Sequence, residues 1–253
     1  MKHFKVWPLA LVLLAFQTSC VKDTVVVEEK PEPKVQVDFK AVVRTTPVVP
    51  VTGWYTNASL DSFTVTKFNY YISNIKLFSD NGTVYTEPES YHIIKHVEGL
   101  TNFTMDNVPE GTYTRMEFLI GVDSARNVSG SQTGALDPVH QMFWEWNTGY
   151  IFYKLEGSFN TLTQPTKADY VIHIGGFTGR YSCLQKVSIN LGSGYKAIKG
   201  NTGKIHFNTH VEEVFTKPAT IGFDDYYNAV GNPMFKALSD NYKDMFELNG
   251  IEN

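Results

Sequence analysis

The feature that most constrains this chain is the repeated alternation of apolar and polar side chains in short segments from residue 35 to residue 215. The first segment, "VQVDFKAVV" (35–43), places Val35, Val37 and Phe39 at every second position. Alternate residues of a strand point to opposite faces, so each segment has an apolar face that must pack against another layer. The pattern predicts an all-β protein, an antiparallel β-sandwich of about ten strands.

Turn residues separate the predicted strands. "SDNGTV" near 81–82, "VPEGTY" near 109–111 and "GSGY" near 192–194 combine glycine with residues that favour tight turns. The predicted strands are 35–43, 61–79, 90–97, 101–108, 111–123, 140–146, 149–159, 169–177, 185–191 and 203–215. This regular spacing of short strands is typical of a sandwich.

One segment near the carboxyl end departs from this pattern. In "NPMFKALSDNYKDMFELNG" (232–250) apolar residues recur at steps of three and four: Phe235, Leu238, Tyr242, Met245 and Phe246. The spacing predicts a short amphipathic helix over 232–248, closed by Gly250. We expect its apolar stripe to cap one end of the sandwich, and a partner-binding helix is the alternative.

The amino terminus has the pattern of a secretory signal. Lys2 and Lys5 precede "PLALVLLAF" (8–16), an apolar run too short to span a bilayer, and "QTSC" ends at Cys20. We expect a lipoprotein signal at 1–19, a lipidated Cys20, a charged tether at 20–34 and one domain at 35–250. A plain secretory signal and a retained membrane anchor are the alternatives. Lipidation would attach the protein to the outer membrane. The sequence does not distinguish the periplasmic face from the cell-surface face.

Net charge limits the classes of binding partner, and the cysteine content limits the possible disulfides. Removal of residues 1–19 takes away two lysines and no acids, leaving 20 basic against 26 acidic residues, a net charge of −6. This acidity argues against a nucleic-acid partner. With Cys20 lipidated, Cys183 is the remaining thiol, so no intrachain disulfide can form and the core alone must hold the fold.

Signatures of catalysis are missing from the sequence. It has no G-x-S-x-G elbow, no H-E-x-x-H motif and no P-loop, and Cys183 lies in no recognisable catalytic motif. We therefore expect a protein that is not an enzyme.

Histidines and soft donors offer a different chemistry. Alternation in a strand places His206 and His210 on one face. The same rule places four side chains on one face of "HQMFWEW": His140, Met142, Trp144 and Trp146. Imidazole with thioether suits copper, Cu(I) in particular, better than Mg²⁺ or Ca²⁺. The alternatives are a packed core for the methionine and tryptophans, and ordinary exposed positions for the histidine pair.

Several segments together resemble a known family. They are "FNYYISNIKLFSDNGTVYTEPESYHII" (68–94), "VPEGTYTRMEFLIGVDSARNVSGSQTGALDP" (108–138), "MFWEWNTGYIFYKLEG" (142–157), "HIGGF" (173–177) and "NYKDMF" (241–246). The chain is similar to proteins with an MbnP-like domain, the family of the copper-binding protein associated with methanobactin operons. Within that family it looks closest to lipoproteins of Bacteroidota.

The resemblance implies copper binding in the cell envelope, Cu(I) or Cu(II), for storage or handover. In related proteins histidines are joined by a tryptophan that a partner di-haem, peroxidase-like protein oxidises to kynurenine. Trp144 and Trp146 match the family's paired tryptophans, and His173 matches the histidine before its glycines. For His140, His206 and His210, the prediction of a role as metal ligands depends on their spacing in the sequence alone. The alternative is a non-catalytic envelope module that has lost the metal and recognises glycan or protein through exposed aromatic rings.

Overall fold

A computed structural model describes residues 29–130, 132–145, 149–229 and 231–253. The predicted signal, Cys20, most of the tether and Trp146 lie outside these residues.

The strands of the first half are β1 (Lys34–Val43), β2 (Thr46–Pro47), β3 (Tyr55–Thr56), β4 (Ser62–Phe63), β5 (Lys67–Ser79), β6 (Val84–Thr86), β7 (Tyr91–Lys95), β8 (Asn102–Met105) and β9 (Gly111–Ile120). Those of the second half are β10 (Phe143–Glu145), β11 (Gly149–Asn160), β12 (Ala168–Gly175), β13 (Gln185–Ala197), β14 (Thr202–His210), β15 (Asn228–Ala229) and β16 (Phe246–Glu252).

Helices are few and short. They are α1 (Ser124–Asn127), α2 (Phe223–Tyr226) and α3 (Asn232–Tyr242), with 3₁₀ turns at Gly134–Leu136, Pro138–His140, Gly179–Tyr181 and Val211–Phe215. Within the described part of the chain, no helix combines the length and apolar character that a membrane crossing requires.

The strands form two sheets, which confirms the predicted sandwich. The small sheet has the order β16-β14-β1-β2, with β8 also paired to β1. The large sheet has the order β13-β9-β5-β11-β12-β15, with β6 and β7 on β5, β10 and β4 on β11, and β3 on β4. Among the described strands nearly every pairing is antiparallel, and the parallel pairs are β1 with β14 and β12 with β15. Each of the ten predicted strand segments contains a strand.

Aromatic rings fill the space between the sheets. Phe39 and Phe207 of the small sheet stack with centroids 5.6 Å apart, and Phe39 meets Tyr70 of the large sheet at 6.1 Å. The Tyr70 hydroxyl lies 3.1 Å from Thr209 Oγ1, so a hydrogen bond also joins the sheets. Buried rings and a satisfied hydroxyl join the two sheets, and no disulfide does so within the described residues.

The polar segment that precedes β10 folds over the outer face of the large sheet. Tyr71 donates a hydrogen bond to the carbonyl of Ala135 at 3.1 Å, and Tyr150 donates to that of Leu136 at 2.7 Å. The two tyrosine rings meet edge to face at 5.7 Å. The segment is therefore held against the sheet and delivers the chain to β10.

The carboxyl-terminal helix is shorter than predicted. Helix α3 ends at Tyr242, and the chain continues as β16 along β14. Phe246 lies opposite Thr209, while Gly250 lies opposite His206 instead of capping a helix. Phe246 fits a helical spacing, but a strand here pairs the backbone groups along the free edge of β14. That gain outweighs continuation of the helix.

The shorter helix still covers one end of the core. Tyr242 stacks on Tyr153 with centroids 5.1 Å apart and donates a hydrogen bond to the carbonyl of Cys183. The predicted strand 203–215 also ends early, because Val211–Phe215 forms a 3₁₀ turn beside α3.

Candidate metal centre

The segment before β10 does not follow a single strand. Pro138–His140 forms a 3₁₀ turn, and Gln141 adopts a left-handed conformation with φ 57°. A left-handed residue reverses the chain direction, so the alternation that the sequence suggested cannot extend through it. His140 is consequently separated from the strand face of Trp144, and its Nε2 lies 3.0 Å from the carbonyl oxygen of Gly134.

Met142 belongs to the core. Its side chain is fully buried, and its carbonyl accepts a hydrogen bond from the Ile151 amide at 2.9 Å. The face that we predicted for His140, Met142, Trp144 and Trp146 is therefore not assembled by the described residues.

Trp144 is held at the end of β12. Its ring stacks on Phe235 of α3 with centroids 5.9 Å apart and lies over Gly175. A β-carbon on Gly175 would come within 2.6 Å of this ring, so the glycine makes room for the indole. Gly175 follows His173 by two residues, roughly 7 Å along the strand. The histidine and the tryptophan matched by the family resemblance thus lie near the same end of β12.

Among the described residues, His173 has one close polar partner. Its Nε2 lies 2.7 Å from Glu156 Oε1 of β11, and both side chains are partly exposed, at 24% and 28%. Burial lowers the pKa of His173, an effect that the hydrogen bond to Glu156 opposes. A neutral imidazole beside a carboxylate is a pair of donors that a first-row metal ion can bind.

A lysine lies directly across from this histidine. Lys154 pairs in register with His173 on one side and with Asn69 on the other. Only 6% of Lys154 is exposed, and its Nζ donates to the carbonyl of Gln141 at 2.5 Å. Burial lowers the pKa of Lys154, and the carboxylate of Glu156 opposes this. The ammonium anchors the covering segment, and it also places a positive charge beside the candidate ligand.

His206 and His210 point to one face of β14, as predicted. Four residues of a strand span roughly 13 Å, which is too far for both imidazoles to bind one ion. His206 instead lies between Asp38, 3.4 Å from Nδ1, and Glu252, 3.1 Å from Nε2. His210 has Glu247 at 3.0 Å from Nε2. Asp38 and Glu252 contact opposite ring nitrogens of His206. The imidazole and both carboxylates therefore cannot bind the same ion.

The two other histidines of the described ranges, His92 and His96, pack against aromatic rings. His96 is partly buried and stacks on Phe68 with centroids 4.8 Å apart. His92 stacks on Phe103 at 3.7 Å and lies 2.8 Å from Glu87. Across the described ranges, no group of three or more His, Cys, Asp or Glu side chains is arranged to hold a metal ion.

Asn127 fixes the position of β11 relative to α1. This buried side chain donates to the carbonyl of Val122 at 2.7 Å and accepts from the Tyr150 amide at 3.1 Å. A β-carbon on Gly149 would overlap Asn127 Oδ1. The asparagine, glycine and tyrosine of the family-like segments therefore act together as a structural joint.

Sequence reasoning missed Glu156 and Lys154. Both lie on β11, where they alternate with the buried residues Tyr153 and Leu155. Charged residues at alternate positions of an otherwise apolar strand were a usable signal, because they mark the face opposite the core.

The fold and site define an all-β sandwich domain with a histidine–carboxylate pair near a tryptophan at one strand end. A family model described as MbnP matches residues 32–233. The chain therefore belongs to the MbnP family. A solved structure, MbnP from Methylosinus trichosporium, is similar over 69% of this chain and 75% of that chain, with 13% identity and a TM-score of 0.47. The comparison with curated proteins finds no match.

Proposed function

We propose that this protein is a non-catalytic cell-envelope lipoprotein, anchored through Cys20, that binds copper at His173 and Glu156 for storage or handover. The observation that carries the proposal is the 2.7 Å separation of His173 Nε2 and Glu156 Oε1 in a chain of the MbnP family. Two donor atoms this close can bind the same ion once the shared proton is lost.

The donor chemistry favours Cu(II) over Cu(I). An imidazole nitrogen and a carboxylate oxygen suit Cu(II), which binds such ligands more tightly than other divalent first-row ions. The soft thioether of Met142 is enclosed in the core and supports no Cu(I) site. Because burial lowers the pKa of His173, its imidazole is kept in the neutral form that binds metal.

Copper content and affinity test this proposal. We expect purified protein to bind Cu(II), His173→Ala to lose binding, and Glu156→Gln to weaken it by about tenfold, the effect of losing one charged ligand. His206→Ala is the matched control, since its imidazole also lies beside carboxylates and its binding should equal wild type. Copper at background in the wild-type protein, or an equal loss in His206→Ala, would overturn the assignment.

Modification of Trp144 or Trp146 is a separate expectation. The Trp144 ring near the site supports its oxidation to kynurenine by a di-haem, peroxidase-like partner. Mass spectrometry of the peptide that contains both tryptophans, from protein produced in its native cells, measures this directly. Unmodified indoles in the peptide would contradict the expectation while leaving copper binding to be judged by titration.

The position of Lys154 favours a second candidate function. In this alternative the protein is a member of the family that has lost the metal and serves as a binding module. An ammonium opposite His173 repels a cation. Recognition of glycan through Trp144 gains no support, because that ring is half-buried against Phe235 and Gly175. A wild-type protein that binds no copper would favour this second candidate.

The anchor has its own test. Lipidation of Cys20 predicts that the protein sediments with membranes and that Cys20→Ser moves it to the soluble fraction. Equal distribution of the two proteins would argue for a plain secretory signal.

A further inference from the structure

A cavity of about 510 Å³ lies at the end of the β11–β12 hairpin, and neither His173 nor Glu156 of the copper candidate lines it. It is lined by residues of β11, the following turn, β12, α2 and the residue that follows α2: Phe159, Thr163, Gln164, Ala168, Asp169, Phe223, Asp224 and Tyr227. A cavity of this size accommodates a small organic molecule.

Three aromatic rings form one wall. Phe159 stacks between Phe223, with centroids 4.9 Å apart, and Tyr227, at 5.9 Å. The two phenylalanines are buried, whereas 48% of Tyr227 is exposed. The Tyr227 ring thus packs against Phe159 of the core and is also accessible to solvent, as a ring that contacts a ligand must be.

Two carboxylates form the polar part of the wall. Asp224 Oδ1 accepts hydrogen bonds from the hydroxyls of Thr161 and Thr163, both at 2.6 Å. Asp169 Oδ1 accepts one from Ser158 at 2.8 Å. The threonine hydroxyls lower the pKa of Asp224, so its charge persists in mildly acidic solution. In both aspartates the second oxygen receives no hydrogen bond from any residue within the described ranges.

Charge decides which ligand fits. The lining residues include two aspartates and no lysine, arginine or histidine. An anionic ligand would be repelled, and a neutral ligand would leave two negative charges uncompensated. A cation gains from both carboxylates and from the face of the Tyr227 ring.

We propose that this pocket binds an organic cation, an ammonium or guanidinium group on an apolar stem, through Asp169, Asp224 and Tyr227. The group could belong to a free amine or to a lysine or arginine side chain of a peptide, and the chemistry of recognition is the same. The site is independent of the copper proposal.

Calorimetric titration with agmatine and with a blocked arginine peptide tests the pocket and distinguishes the two sources. We expect saturable binding of at least one of these probes, weakened by salt because the contact is between charges. Asp224→Asn and Tyr227→Ala should each weaken binding by about tenfold or more. Preference for agmatine would identify a free amine as the ligand, and preference for the peptide would identify a side chain.

Matched controls make the test specific. Asp225→Asn removes a neighbouring carboxylate of α2 that does not line the cavity, and His173→Ala removes an imidazole of the copper candidate that does not line it either. Both should bind the probes within twofold of wild type, and circular dichroism should report native folding in every variant. Failure of both probes to bind wild type would overturn the proposal. So would an equal loss in Asp225→Asn, or binding of a neutral sugar as tight as that of agmatine.

Discussion

His96 is a partly buried base in an aromatic environment. Its ring stacks on Phe68, and its Nε2 lies 3.2 Å from the Tyr70 hydroxyl. Burial lowers the pKa of His96 to about 3. An unfolded chain takes up this proton below about pH 6.5, whereas the folded chain excludes it until about pH 3. The contribution of His96 to stability is therefore fully present above pH 6.5 and is lost as the pH falls towards 3.

This pH dependence predicts the behaviour of His96→Phe. Between pH 3 and 6.5 the free energy of unfolding should rise with pH less steeply in the variant, by up to about 1.4 kcal/mol per pH unit. Urea unfolding at stepped pH measures the two slopes. Parallel curves for wild type and His96→Phe would show that His96 is not the group that titrates.

Lys154 should oppose cation binding at His173. Replacement by methionine keeps the apolar stem and removes the charge, so Cu(II) should bind about threefold to tenfold more tightly, as expected for partly screened charges. Lys67→Met is the control: Lys67 pairs with Glu156 from the other side and is more exposed than Lys154. Its effect should be smaller. Unchanged or weaker copper binding in Lys154→Met would argue against the His173 site.

At the scale of elements, the joint between α1 and β11 depends on Gly149. This residue has φ 75°, and any β-carbon would overlap Asn127 Oδ1. Gly149→Ala should therefore lower the free energy of unfolding by about 2 to 4 kcal/mol, combining backbone strain with loss of a buried hydrogen bond. Gly134→Ala is matched, with φ 64° and open space around it, and should cost only about 1 kcal/mol. Equal losses in thermal or urea unfolding would mean that strain alone matters.

Elements with strict alternation could be predicted from the sequence: β1 lies almost where its pattern places it, and β14 begins as predicted although it ends five residues early. The end of α3 could not, because Phe246 satisfies a helical spacing and the free edge of β14 that receives it is a tertiary feature. The candidate site could likewise be predicted only in part. His173 was recognisable, but its pairing with Glu156 depends on the register of two strands.

Across the whole molecule, β16 closes the sandwich. Its first residue, Phe246, contacts Phe39 and Phe207 of the small sheet and Tyr70 and Phe118 of the large sheet, with centroids 5.1 to 6.5 Å apart. A strand that ends the chain therefore supplies a ring to the centre of the core. Its backbone also covers the edge of β14, which would otherwise be open to association with other chains.

These two contributions can be separated. Phe246→Ala keeps the strand and removes the ring, and it should lower the free energy of unfolding by about 3 to 5 kcal/mol without aggregation. Deletion of residues 246–253 removes both, and the uncovered edge of β14 should add concentration-dependent association, measurable by light scattering. Phe235→Ala, which truncates a half-buried ring against Trp144, serves as the control with a smaller loss of stability. A monomeric deletion variant as stable as Phe246→Ala would show that the ring alone closes the core and that strand pairing adds nothing.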